Sequence, residues 1–115
     1  MKTNQDILRL EHILQSIERI DFVLKNLSYG EYLEDWQKQD IIVRNMEIIG
    51  EASRHISDEL KNLHSDVAWK PAVGMRNYLI HEYFSVNYDE VWTTLKEDLP
   101  IFKNQIKNIL KTLTQ

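Results

Sequence analysis

The stretch Trp36-Gln37-Lys38-Gln39-Asp40-Ile41-Ile42-Val43-Arg44-Asn45-Met46-Glu47-Ile48-Ile49-Gly50-Glu51-Ala52-Ser53-Arg54-His55-Ile56 decides the fold class. Ile41, Ile42, Met46, Ile49, Ala52, Ser53, Ile56 and, further on, Leu60 recur at three- and four-residue steps. That is the period of a helix with one apolar or small face. The pattern predicts a single long helix from about Trp36 to Leu63. Gly50 lies inside it, at a cost of about 1 kcal/mol against Ala, and close packing of a neighbouring helix would explain its presence.

The same period extends outward on both sides. Ile7, Leu10, Leu14, Ile17, Leu24 and Leu27 predict a first helix over about residues 5–27, with Gly30 as its stop. Ser28 and Glu31 match a capping box for a short extra helical turn. The period is lost from His64 to Pro71, where Trp69-Lys70-Pro71 reads as a connector. A third helix follows over about residues 72–84. Asn87 and Glu90 match another capping box and open a last helix carrying Val91, Leu95, Leu99, Phe102, Ile106, Leu110 and Leu113. Pro100 should kink or break that helix. No segment reads as a strand, repeat or linker. The expected fold is all-α, a single domain over residues 1–115, built as a bundle of four main helices with short connections.

Composition narrows the function classes. The chain has 115 residues, 43% hydrophobic, with three Gly, two Pro and no Cys. Disulfides, thiolate nucleophiles and Cys-based zinc sites are excluded. No stretch approaches the roughly 20 apolar residues of a membrane span, and the N-terminus lacks an apolar leader. A cytoplasmic location is the expectation. A net charge of −4 argues against a generic nucleic-acid binder, but leaves room for an RNA enzyme whose positive charge is local or shared between subunits. No Gly-rich phosphate loop is present, so the chain should not act on ATP itself.

The third predicted helix contains Arg76-Asn77-Tyr78-Leu79-Ile80-His81-Glu82-Tyr83. Cleaving RNA without a metal requires a group that moves protons at the 2′- or 5′-oxygen and a group that stabilises phosphoryl charge. Imidazole transfers protons near neutral pH, and guanidinium grips phosphate through two hydrogen bonds. Arg76 and His81 therefore form a sufficient minimal set. On a regular helix, however, they point roughly 140° apart with about 7.5 Å of rise between them. Asn77 and His81 share one face, Arg76 and Tyr83 another. Either the helix is distorted, or a second subunit supplies the complementary groups across a two-fold axis.

Arg76, four residues, His81, one residue and Tyr83, with Glu47-Ile48-Ile49-Gly50-Glu51-Ala52 upstream and Trp69 between, resembles the HepT family. These are the toxins of HepT–MntA toxin–antitoxin systems, within the HEPN superfamily. The resemblance spans about residues 5–110. It implies a homodimer of all-α subunits with both motif copies facing one cleft, and a metal-independent endoribonuclease with catalytic Arg76 and His81 and no cofactor. Asn77, by its own place on the helix, would orient His81 or bind phosphate, or else be a plain helix-surface residue. The implied partners are RNA, with no direct contact to DNA, and an MntA-like minimal nucleotidyltransferase antitoxin, possessed of the ability to add AMP from ATP to the motif tyrosine, here Tyr83. A larger hetero-oligomer with that antitoxin is compatible with this. Such a modification would act as a steric and charge switch. The alternative is a non-catalytic helical module that docks a nucleotidyltransferase or a nucleotide, a reading the acidic balance favours.

Other features read more simply. Glu51 and His55 are spaced Glu-x-x-x-His rather than the Glu-x-x-His of di-iron bundles, so no metal site is expected. Glu47 and Glu51 are in reach of the motif only if the bundle brings them there. His12 and His64 read as surface residues. Lys96, Lys103, Lys107 and Lys111 form a stripe that a solvated helix face explains better than a docking surface. Trp36, Trp69 and Trp92 read as core or interface residues.

Overall fold

The computed structural model describes residues 2–82 and 84–115. In chain order the elements are α1 (Lys2–Leu24), α2 (Tyr29–Glu34), α3 (Trp36–Arg54), α4 (Asp58–Leu63), α5 (Trp69–His81), α6 (Tyr88–Thr93), a π-helical turn (Thr94–Asp98) and α7 (Leu99–Leu113). No strand occurs among the described residues. α3 is the central helix, packed on both α1 and α5, while α1 also packs on α7. Leu10, Ile13, Ile17 and Ile20 of α1, Ile42, Met46 and Ile49 of α3, and Leu99, Phe102, Ile106 and Ile109 of α7 form the common core.

The four main helices are present, but with different bounds and with three short helices, α2, α4 and α6, rather than one extra turn. Helix 36–63 is broken at His55-Ile56-Ser57. Ser57 caps α4 by accepting from the Leu60 amide at 3.3 Å. The buried Asp6 carboxylate of α1 then accepts from the Ser57 amide at 2.9 Å and the Ser57 hydroxyl at 2.6 Å. The apolar period continues through this break, because Ile56 and Leu60 still turn inward; periodicity alone cannot register it.

Gly30 does not end α1. The left-handed position is Asn26, at φ 60°, a conformation that Asn tolerates better than most residues. Ser28 immediately starts α2 through both halves of its capping box, so Gly30 already lies within the next helix. α5 begins at Trp69, three residues before the expected start, since Pro71 falls in the first turn where no intrahelical donor is required. It ends at His81. The break expected at Pro100 takes the form of the π-helical turn, closed by the Leu99 amide on the Thr94 carbonyl. Pro100 then sits in the first turn of α7, where its missing N–H costs nothing. Trp69 is buried, with its indole N–H on the His64 carbonyl at 3.0 Å; Trp92 stacks near Tyr32 and Tyr29; Trp36 is exposed.

The glycine expected to mark a close approach does so. A Cβ on Gly50 would lie 2.3 Å from the Arg76 Cβ and 2.7 Å from the Ala72 carbonyl oxygen. α3 and α5 therefore meet nearly backbone to backbone. Gly50→Ala should destabilise the fold by about 1–3 kcal/mol, despite a helix-propensity gain of about 1 kcal/mol. Gly30 and Gly74 have open space around the same position, and Ala there should stabilise by about 0.5–1 kcal/mol. Urea denaturation of the three variants checks the contrast; equal effects would remove the close contact as an explanation.

Candidate functional site

The Gly50 contact seats Arg76 against α3. The Arg76 Nε lies 3.0 Å from Glu51 Oε2, pairing the two helices electrostatically. That oxygen accepts no directed hydrogen bond, so the attraction is one of charge rather than alignment. The other Glu51 oxygen meets His55 Nε2 at 2.9 Å, one turn along α3. Arg54 stands further off, at 3.9 Å. The Glu51 carboxyl is held below its ordinary range, first by the hydrogen bond from His55 and then, against an opposing desolvation, by the charges of Arg76, Arg54 and His55.

The far end of the guanidinium turns the other way. Arg76 Nη1 donates to Asn77 Oδ1 at 2.8 Å. Asn77 in turn lies one helical turn before His81, and such pairs have Cβ atoms about 5–6 Å apart. α5 is regularly α-helical through His81, which disposes of a local distortion as the means of joining Arg and His. The length of the arginine side chain instead spans part of the gap, from Glu51 on one side to Asn77 on the other.

His81 is exposed at the C-terminal end of α5. The connection that follows it is tied back to the helix. The Tyr78 hydroxyl accepts from the Asn87 amide at 2.8 Å and lies 3.5 Å from the Ser85 carbonyl, while the Ser85 hydroxyl donates to Glu82 Oε2 at 3.2 Å. Asn87 caps α6 by accepting from the Asp89 and Glu90 amides. Tyr83, assigned the modification, lies outside the described residues.

Arg76 and Asn77 open onto two different depressions. Arg76 lines a cleft of about 270 Å³ with Arg9 and His12 from α1 and Arg44, Glu47, Glu51 and His55 from α3. Asn77 lines a broader groove with Arg54, Lys61 and Lys70. Arg9, His12 and Arg44 were not singled out by the sequence as neighbours of the motif. Their only signal is a three- to four-residue polar step beside the apolar stripe, which α1 and α3 share with any amphipathic helix. The lysine stripe resolves differently: Lys103 pairs with Asp21 at 2.6 Å, Lys96 lies 5.1 Å from the Trp92 ring centre, and Lys107 and Lys111 are exposed.

Comparison with known proteins places this chain in a family. The profile described as "Ribonuclease HepT-like" matches residues 13–109. A candidate RNase of Caldanaerobacter subterraneus subsp. tengcongensis is 42% identical over 102 residues, covering 89% of this chain and 91% of the relative. A protein named as a ribonuclease HepT candidate from Thermococcus cleftensis is 37% identical, covering 89% and 93%. The tRNA nuclease HepT of Aphanizomenon flos-aquae is 26% identical, covering 98% and 97%. No solved structure gives a significant match. A family profile over most of the chain, and relatives matched along nearly their whole length, show that the chain belongs to the HepT-like ribonuclease family.

Proposed function

We infer that the chain is a metal-independent endoribonuclease and the toxin of a toxin–antitoxin pair, with Arg76 and His81 as its catalytic residues. The observation that carries this reading is the Arg76 guanidinium, held between Glu51 and Asn77 one helical turn from His81. Family membership and the tRNA nuclease relative support RNA as the substrate, with tRNA a candidate target.

In the proposed reaction the ribose 2′-hydroxyl attacks the adjacent phosphorus. Its proton passes to a neutral imidazole, and the P–O5′ bond breaks. An imidazolium protonates the departing 5′-oxygen, leaving a 2′,3′-cyclic phosphate and a 5′-hydroxyl. Arg76 stabilises the negative charge that gathers on the non-bridging oxygens. One chain offers one motif histidine. A homodimer with two motif copies facing one cleft would supply both protonation states, and would also complete the Arg–His geometry that a regular α5 leaves open. A minimal nucleotidyltransferase antitoxin would silence the site by moving AMP from ATP to the Tyr83 hydroxyl, with release of pyrophosphate. The added phosphate would compete with RNA for Arg76.

His81→Ala should lower RNA cleavage by about 10²–10⁴-fold, and EDTA should leave the wild-type rate unchanged. Gel analysis of a labelled RNA reads both; equal cleavage by the variant, or wild-type loss on chelation, overturns the assignment. Incubation with the partner nucleotidyltransferase and ATP should add AMP at Tyr83, mapped by peptide mass spectrometry, with modification at another residue refuting the site.

Glu51→Gln tests the support of Arg76. Because the Glu51 carboxyl is depressed in the fold, its stabilising contribution is present above the ordinary carboxylate range and is lost as pH falls through the lowered value. Melting curves of wild type and variant should therefore differ slightly near pH 7 and converge as the pH falls below the ordinary carboxylate range. A difference that grows in acid would contradict the ion pair.

A further inference from the structure

The cleft beside Arg76 is walled by α1 and α3 as well as by α5. Arg9, His12 and Arg44 belong to its lining. Among the described residues, none of the three has a carboxylate partner, whereas Lys38, Arg54, Arg76 and Lys103 each have one. Three arginines stand against two glutamates, Glu47 and Glu51, in the cleft lining. Its fixed charge is positive in a chain whose net charge is −4.

Unpaired guanidinium groups on the wall of a concavity call for an anion with several acceptor oxygens, because each offers a permanently charged fork of N–H donors. Arg9 and His12 are three residues apart on α1, and so neighbours on one face. Arg44 to His55 covers about 16 Å along α3. That length exceeds one phosphate group and suits a chain of them. The concave, narrow form favours a threaded strand over the convex surface of a folded acidic protein.

We propose that this cleft holds the backbone phosphates of the RNA strand next to the bond presented to Arg76, with Arg9 and Arg44 as the phosphate-gripping residues and His12 as an added donor. The proposal rests on the ribonuclease reading above and adds the path of the substrate. Phosphate contacts of this type fix the register of a strand without reading its bases. The positive surface that the acidic composition obscures is thus assembled from α1, α3 and α5, adjoining the motif.

The test uses the Arg9→Gln/Arg44→Gln protein and its Lys/Lys counterpart. RNA affinity is read by fluorescence anisotropy of a labelled oligonucleotide across a salt series, and cleavage on that oligonucleotide and on a dinucleotide with a single phosphodiester. The Gln pair should weaken oligonucleotide binding by on the order of tenfold per lost contact. It should also make the dependence of log affinity on log salt shallower by about 1.4. Dinucleotide cleavage should be unchanged, and the Lys pair should keep most of the salt dependence. Unchanged affinity and salt slope in the Gln pair overturn the proposal while leaving the ribonuclease intact. An equal loss on the dinucleotide overturns it too, since the cleft would then act on the reacting bond. Loss of binding to a nucleotidyltransferase partner with RNA affinity untouched assigns the surface to protein docking and also overturns it. If the wild type binds RNA without cutting it, the ribonuclease reading fails, and the affinity and salt slope of the Gln pair still decide the cleft.

Discussion

The approach of α3 to α5 at Gly50 is the constraint on which the rest depends. No side chain larger than hydrogen fits between Gly50 and the Arg76 Cβ. With the backbones that close, Glu51 meets Arg76 at 3.0 Å directly beside the contact. The residue that removes a side chain and the residue that supplies a charge are neighbours in sequence. Packing and electrostatics are therefore set by the same turn of helix.

Around that contact, the fold spends its polar groups at the ends of helices. Asp6 holds the cap of α4, Ser28 and Glu31 cap α2, and the Tyr78 hydroxyl ties down the connection to α6. Each satisfies backbone donors left over where a helix starts or a turn intervenes. The consequence for the site is indirect but physical. α5 can stop at His81 and leave the imidazole exposed, because the chain beyond it is anchored by Tyr78 and Asn87 rather than by a longer helix.

Charge is distributed in a way that composition conceals. The lysine stripe of the last helix is in part consumed by structure, with Lys103 fastening α7 to α1 at Asp21. Asp21 lies about 18 Å along α1 from Arg9. The positive groups nearest the motif come instead from three separate helices, and they gather only when α1 and α5 both pack on α3.

The sequence by itself determined the all-α class, the capping box at Ser28, the cap at Asn87, the interruption around Pro100 and the meaning of Gly50. All of these arise from interactions within a few residues or from a side chain's absence, and such signals are written locally. It also carried the resemblance to the family, because Arg76, His81 and Tyr83 stand within eight residues of one another. The tertiary structure alone decided that helix 36–63 breaks at Ser57, since the buried Asp6 carboxylate that holds the break is far away in sequence. It alone turned Arg76 between Glu51 and Asn77, and brought Arg9, His12 and Arg44 to its side. Helical periodicity states which residues share a face, but which faces meet is fixed by the packing of the whole core.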